Sequence, residues 1–146
     1  MSQDARALVA AARAAMAHAH APYSRFAVGA AVRLADGAIV TGSNFENASY
    51  GLSLCAETVA LASVSSLGRL ADVTAIAVVG GTGDMIVTPC GRCRQVMTEA
   101  EQVAGRAIAI YCGAAQGDAI VRHSLAHLLP HAFGPADLGL HPVRKS

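Results

Sequence analysis

Two cysteine motifs constrain this chain more than any other feature of it. Cys55-Ala56-Glu57 stands where an irregular stretch turns into a helical pattern, and Pro89-Cys90-Gly91-Arg92-Cys93 stands where a second loop turns into a second helix. A thiolate at a helix N-terminus is stabilised by the positive end of the helix dipole and by unpaired backbone N–H groups. Three cysteines so placed suit one Zn²⁺, and a fold that serves it must bring the two helix starts together. Three protein ligands leave the fourth position open, which separates a catalytic zinc from a structural one; water there has its pKa lowered to near ~7. Glu57 lies two positions after a ligand, so it can approach that water without ligating, as a proton shuttle must. C-x-x-C by itself fits thiol redox chemistry equally well.

Composition excludes several function classes. A length of 146 residues predicts one domain over 1–146. With 53% hydrophobic and 4% aromatic residues and no Trp, the core must be built from Ala, Val, Leu and Ile. Eleven basic against ten acidic residues leave a net charge of +1, without the positive field that nucleic-acid binding relies on. No apolar run reaches the roughly 18–20 residues needed to cross a bilayer, and the N-terminal stretch is interrupted by Arg6, Arg13, His18 and His20. The expectation is a soluble, unexported, cytoplasmic protein with no nucleic-acid or membrane partner.

The pattern along the chain reads as an α/β fold. Residues 4–20 form an Ala-rich helix starting near Asp4 and stopping before Pro22. Val28–Leu34 and Ile39–Thr41 read as strands joined through Asp36-Gly37, a hairpin turn pair. A second helix runs from Cys55 or Ala56 to Leu67 and ends at Gly68. Val73–Val79 is a continuously apolar central strand, Gly91–Glu101 a third helix, and Ala107–Tyr111 another buried strand. The order predicts a mixed sheet of about five strands covered by helices on both faces, in three layers. The tail from Gly134 can be ordered only by packing on something.

C-A-E followed 35 positions later by P-C-x-x-C is the signature of zinc deaminases. Over roughly residues 20–140 the chain resembles the cytidine deaminase family, in its small homotetrameric branch. Pro22-Tyr23-Ser24-Arg25-Phe26 with Val28-Gly29-Ala30-Ala31 is similar to the family's P-Y-S-x-F-x-V-G-A-A segment. Asn44-Phe45-Glu46-Asn47-Ala48-Ser49-Tyr50 is similar to its N-x-E-N-A-x-Y, and Leu128-Leu129-Pro130 with Phe133-Gly134-Pro135-Ala136-Asp137-Leu138 to its L-L-P and F-G-P-x-D-L.

The resemblance implies zinc-dependent hydrolytic deamination of cytidine and deoxycytidine, in pyrimidine salvage, with one Zn²⁺ per chain held by Cys55, Cys90 and Cys93. Glu57 would move protons from water to N3 and then to the leaving amine. Asn44 and Glu46 would hold ribose hydroxyls, Phe26 would line the pyrimidine pocket, and backbone groups around Ala56 and Thr88 would hold the pyrimidine edge. Phe133 would pack on the base in the site of a neighbouring subunit of a homotetramer. One residue departs from the pattern: the tetrameric enzymes carry Arg after the catalytic Glu, beside the thiolates, where this chain has Thr58. Three thiolates on one Zn²⁺ leave a net −1, so losing a nearby cation weakens the metal's acidifying effect unless something compensates, as Arg92 or the two helix N-termini could. A blasticidin S deaminase shares such motifs and also lacks that Arg.

Plainer readings stand beside these. The cysteines could form a structural zinc module or a redox pair, and Glu57 could be a solvated first-turn acid. Asn44 and Glu46 could be turn residues, and Phe26 and Phe133 ordinary core aromatics. Cys112, after the strand ending at Tyr111, reads as a buried thiol acting as a small hydrophobe. His123, His127 and His131 have i, i+4 spacing, but Pro130 interrupts the run, which favours solvated or capping roles.

Overall fold

The structure, a computed structural model, describes residues 1–140. The expected domain therefore extends six residues past the described ones. Its centre is a five-stranded mixed sheet in the order β2-β1-β3-β4-β5. The strands are β1 (Val28–Leu34), β2 (Ile39–Ser43), β3 (Val73–Gly80), β4 (Ala109–Ala114) and β5 (Ile120–Ser124). The helices are α1 (Gln3–Ala15), α2 (Ala56–Ser66), α3 (Gly91–Ala104) and the short α4 (Leu125–Leu128).

Each pairing follows from the connection that makes it. β1 and β2 are antiparallel, as a tight hairpin requires, and Gly37 supplies the positive φ of +91° at its turn. β3 and β4 are parallel, because α3 carries the chain back across the sheet between them. β5 returns antiparallel to β4 and forms the far edge.

Period-2 alternation sends successive strand residues to opposite faces, and two cores result. On one face Leu8, Val9 and Ala12 of α1 pack on Ala31, Ala77 and Val79. On the other, Ala56, Ala60 and Val64 of α2 and Met97, Ala100 and Ala104 of α3 pack on Ala30, Val32, Ile76 and Ile110. The expected three-layer α/β arrangement is the one observed. Small side chains in the sheet bring helix backbones very close. A Cβ on Gly42 would lie 2.6 Å from the Ala60 nitrogen and 2.7 Å from the Ala56 carbonyl oxygen. Gly42→Ala is therefore expected to push α2 outward and cost about 1–3 kcal/mol. Thermal denaturation checks this, and an unchanged Tm would mean that α2 yields freely.

Several boundaries differ from the sequence expectation. α1 is capped by Ser2, whose hydroxyl accepts from the Ala5 N–H at 3.2 Å, while Asp4 sits in its first turn; the helix ends at Ala15 and a 3-10 turn continues to His18. α3 runs past Glu101 to Ala104 and stops at Gly105 in the left-handed conformation. β4 is shifted two to three residues C-terminally from the expected Ala107–Tyr111, because the Ile108 N–H is taken by the Glu101 carboxylate at 2.8 Å instead of by the sheet. Cys112 therefore lies inside β4. β5 had no position in the sequence reading: Ile120-Val-Arg-His-Ser carries no buried run, since an edge strand is paired on one side only. The expected tail order begins with a 3-10 turn, Pro135–Leu138, entered through the Gly134 N–H donating to Asp137 at 2.8 Å.

Candidate active site

α2 and α3 deliver the three candidate thiols from matching positions. Cys55 is the residue before α2 and Cys90 the residue before α3, both in extended backbone and neither helix having a side-chain cap. Cys93 lies one turn into α3, on the stripe that also buries Met97, Ala100 and Ala104. The Cys55 and Cys90 sulfurs are 3.9 Å apart, and all three sulfurs lie within 4.8 Å of one another. A tetrahedral zinc with Zn–S of about 2.3 Å places its sulfurs about 3.8 Å apart, so the cluster can hold a metal ion with small adjustments. Among the described residues no other group of three His, Cys, Asp or Glu side chains meets this condition.

The thiols differ in acidity. Cys55 is lowered to about 6, chiefly by hydrogen bonding from Cys93 and further by Cys90 and the Arg92 charge, against burial and the Glu57 charge. Cys93 is raised, because it serves Cys55 as donor and is buried beside Glu57. Cys112 is fully buried in the core beneath α2 and α3, and burial pushes its thiol up to about 11, so it stays neutral and packs as a small hydrophobe.

Glu57 occupies a position that helix periodicity reserves for core. It precedes Leu61 by one turn on the buried side of α2 and is 3% exposed. Its Oε2 accepts from the Cys93 thiol at 2.6 Å. Burial raises its pKa, and the Cys93 hydrogen bond only partly opposes this. A carboxyl group so placed holds its proton more tightly than a solvated first-turn acid does, which suits it to pass a proton in either direction.

Cys55, Cys90 and Glu57 open into a cavity of about 540 Å³, a volume that fits a small ligand. Ala56, Thr88 and Phe26 also line it, and the Phe26 ring lies against Gly80 and Gly81. At 46% exposure Phe26 is no core aromatic.

Asn44 and Glu46 also line the cavity, and both are partly engaged within the protein. Asn44 Oδ1 accepts from the Val28 N–H at 2.9 Å and its Nδ2 donates to the Phe26 carbonyl at 2.8 Å, leaving one amide hydrogen for another acceptor. Glu46 Oε1 accepts from the Tyr23 and Ser24 N–H groups at 3.0 and 3.1 Å. The Ser24 hydroxyl and N–H hold this carboxylate below its usual range, so it is charged at neutral pH.

Phe133 does not line its own chain's cavity. It is 58% exposed, and its carbonyl accepts from Gln95 Nε2 at 2.7 Å. The rings of His123 and His127 stack at 6.2 Å, and the Ser124 hydroxyl accepts from the His127 N–H. The sequence reading overlooked Arg94, whose guanidinium donates to three acceptors around the cavity wall. Its only sequence signal is adjacency to Cys93.

Residues 1–109 match the family model described as cytidine and deoxycytidylate deaminase zinc-binding region. The chain belongs to this deaminase family. A cytidine deaminase of Halalkalibacterium halodurans is 49% identical over 120 residues, covering 82% of this chain and 86% of the relative. One from Mycobacterium tuberculosis is 47% identical over 125 residues, 85% of each chain. The crystal structure of the Burkholderia pseudomallei cytidine deaminase superposes with a TM-score of 0.80 at 46% identity, covering 91% of this chain and all of that one. The zinc-binding region of the family and the cluster of Cys55, Cys90 and Cys93 agree on the cofactor.

Within the deaminase fold, Thr58 is not among the residues that line the active-site cavity. It lines a separate cavity between α2 and α3 with Leu61, Gln95 and Ala100, and its buried Oγ1 has no hydrogen-bond partner among the described residues. Arg92 is the cation beside the cluster: it lines the active-site cavity, its Nη1 donates to the Ser53 carbonyl at 3.2 Å, and its charge favours the Cys55 thiolate.

Proposed function

We propose that the chain is a single catalytic domain over 1–146 that deaminates cytidine and deoxycytidine with water, giving uridine or deoxyuridine and ammonia. The observation that carries this reading is a trio of thiols meeting a buried carboxyl group at the floor of a cavity sized for a nucleoside. Cys55, Cys90 and Cys93 would hold the zinc, and the helix N-termini with Arg92 would offset their charge. When bound, zinc is a Lewis acid that acidifies water and so makes a nucleophile available at neutral pH.

The remaining work falls to the chain's own residues. Glu57 accepts a proton from the attacking water, delivers it to N3 of the pyrimidine, and then carries the second proton to the amine departing from C4. Its desolvated surroundings match the carboxyl to both directions of transfer. The backbone near Ala56 and Thr88 holds the pyrimidine edge, Phe26 lies along the ring, and Asn44 and Glu46 take ribose hydroxyls.

The sugar end of the cavity favours a free nucleoside over a nucleotide. Glu46 is charged there, and among the described lining residues Arg92 is the one cation, already donating to Ser53. A 5′-phosphate would meet repulsion without compensation. The assembly we favour is a homotetramer in which a neighbour's Phe133 covers the base; its exposure and its distance from its own cavity support this, as do the exposed Phe26 and Tyr50 at the cavity mouth. Pyrimidine salvage in the cytoplasm is the setting this activity suits. Light scattering that returned a monomer mass would remove the shared-site part of the reading.

An ammonia-release assay over cytidine, deoxycytidine, cytosine, adenosine and blasticidin S tests the substrate. Cytidine and deoxycytidine should be turned over, and free cytosine should be far poorer, because sugar contacts position C4 for the chemical step. Removing the 3′-hydroxyl should cost roughly 10²-fold in kcat/KM, and Glu46→Ala should narrow that difference. Glu46 is half-buried and partly satisfied by Tyr23 and Ser24, which limits the loss. Turnover of cytosine equal to cytidine, or of blasticidin S above both, would overturn the ribose assignment.

A further inference from the structure

The wall of the cavity that leads into Cys90 has no sheet or helix to hold it. Residues 85–90 are irregular, and among the described residues no backbone hydrogen bond fastens Thr88 or Pro89. Arg94, in the first turn of α3, makes the connections instead. Its Nε donates to the Pro89 carbonyl at 2.7 Å and its Nη2 to the Thr88 hydroxyl at 3.2 Å. The Nη1 group donates to the Leu128 carbonyl at 2.9 Å, at the end of α4 and 34 residues away in sequence. A planar guanidinium with five N–H donors can serve three acceptors at once, and a lysine ammonium on a flexible stem cannot reproduce that fork.

We propose that Arg94 is a positioning residue for the pyrimidine. It locks Thr88 and Pro89 onto the rigid start of α3 and anchors both to the α4 end, so that the wall facing the base is held in register with Glu57. It is not among the residues that line the cavity and acts through the Thr88 segment, which does line it. The assignment rests on the deaminase reading for its substrate, but the fastening of the loop does not.

Arg94→Lys in the zinc-loaded protein separates these parts. Thermolysin cleavage within residues 85–90, whose amides make no hydrogen bond among the described residues that deuterium exchange could report, should accelerate about tenfold while cleavage in the later turns of α3 is unchanged. One zinc per chain should remain, and KM for cytidine should rise about tenfold with kcat falling less, because a loosened wall weakens placement of the base before it affects proton transfer. Thr88→Val removes one of the three acceptors without touching Arg94, and should shift cleavage and KM in the same direction by a smaller factor; it serves also if the lysine variant fails to fold. Unchanged cleavage with unchanged KM would overturn the proposal. So would loss of zinc and kcat with KM constant, which would place Arg94 in the service of the metal cluster. Faster cleavage in a protein that does not deaminate cytidine would sustain the fastening and overturn only the substrate reading.

Discussion

Glu57→Gln is expected to lower kcat about 10³-fold or more while leaving one zinc per chain and an intact fold. The amide keeps the shape of the side chain but cannot take a proton from water and deliver it to a ring nitrogen, and general acid–base catalysis is worth about 10²–10⁴-fold where it operates. Here one group serves in both directions, so the loss should lie at the upper end. Steady-state kinetics with metal analysis on the same sample measure it, and near-normal turnover would remove Glu57 from the mechanism.

A stability consequence follows in the metal-free protein. Burial raises the Glu57 pKa above its ordinary value, so below the ordinary carboxylate range both folded and unfolded chains hold the proton and the group costs nothing. As pH rises through the folded pKa the unfolded chain ionises more readily, and the native state loses stability. Metal-free Glu57→Gln should therefore match the parent at low pH and be the more stable of the two at neutral pH, as denaturant titration at both pH values would record.

Loss of any one of the three clustered thiols should be equally severe by another route. Cys55→Ala, Cys90→Ala and Cys93→Ala are each expected to give protein without stoichiometric zinc and with background activity, since two sulfurs and a water do not reproduce the trio. Cys112→Ala should keep its zinc and its activity. Its thiol is neutral, sits in the hydrophobic core and contributes only packing, so the cost is about 1 kcal/mol of stability. Metal content of the four purified variants decides the matter. A Cys112 variant that lost its metal would point to a four-cysteine structural site, in which neither an open coordination position nor Glu57 is needed.

Much of the site was legible because its chemistry is carried by local spacing. The position of Cys55 and Cys90 before helices, and of Glu57 two residues after Cys55, can be read from residue types and caps. What could not be read were contacts made across long sequence separations. Arg94 to Leu128 spans 34 residues. Asn44 reaching back to Phe26 and Val28 gives a presumed sugar contact a second task in holding the start of β1. Glu101 taking the Ile108 N–H moves the start of β4, which no propensity scale contains.

The division follows from the range of the interactions. Apolar periodicity, turn glycines and cap residues act within one or two turns of chain, and they determined α2, α3, β1, β3 and the hairpin at Gly37. Edge pairing of β5, the burial of Glu57 against Cys93, the placement of Thr58 on a separate cavity and the exposure of Phe133 are decided by which elements meet. In each case the deciding partner is remote in the chain, so its desolvation or hydrogen bond exists only once the three layers have packed.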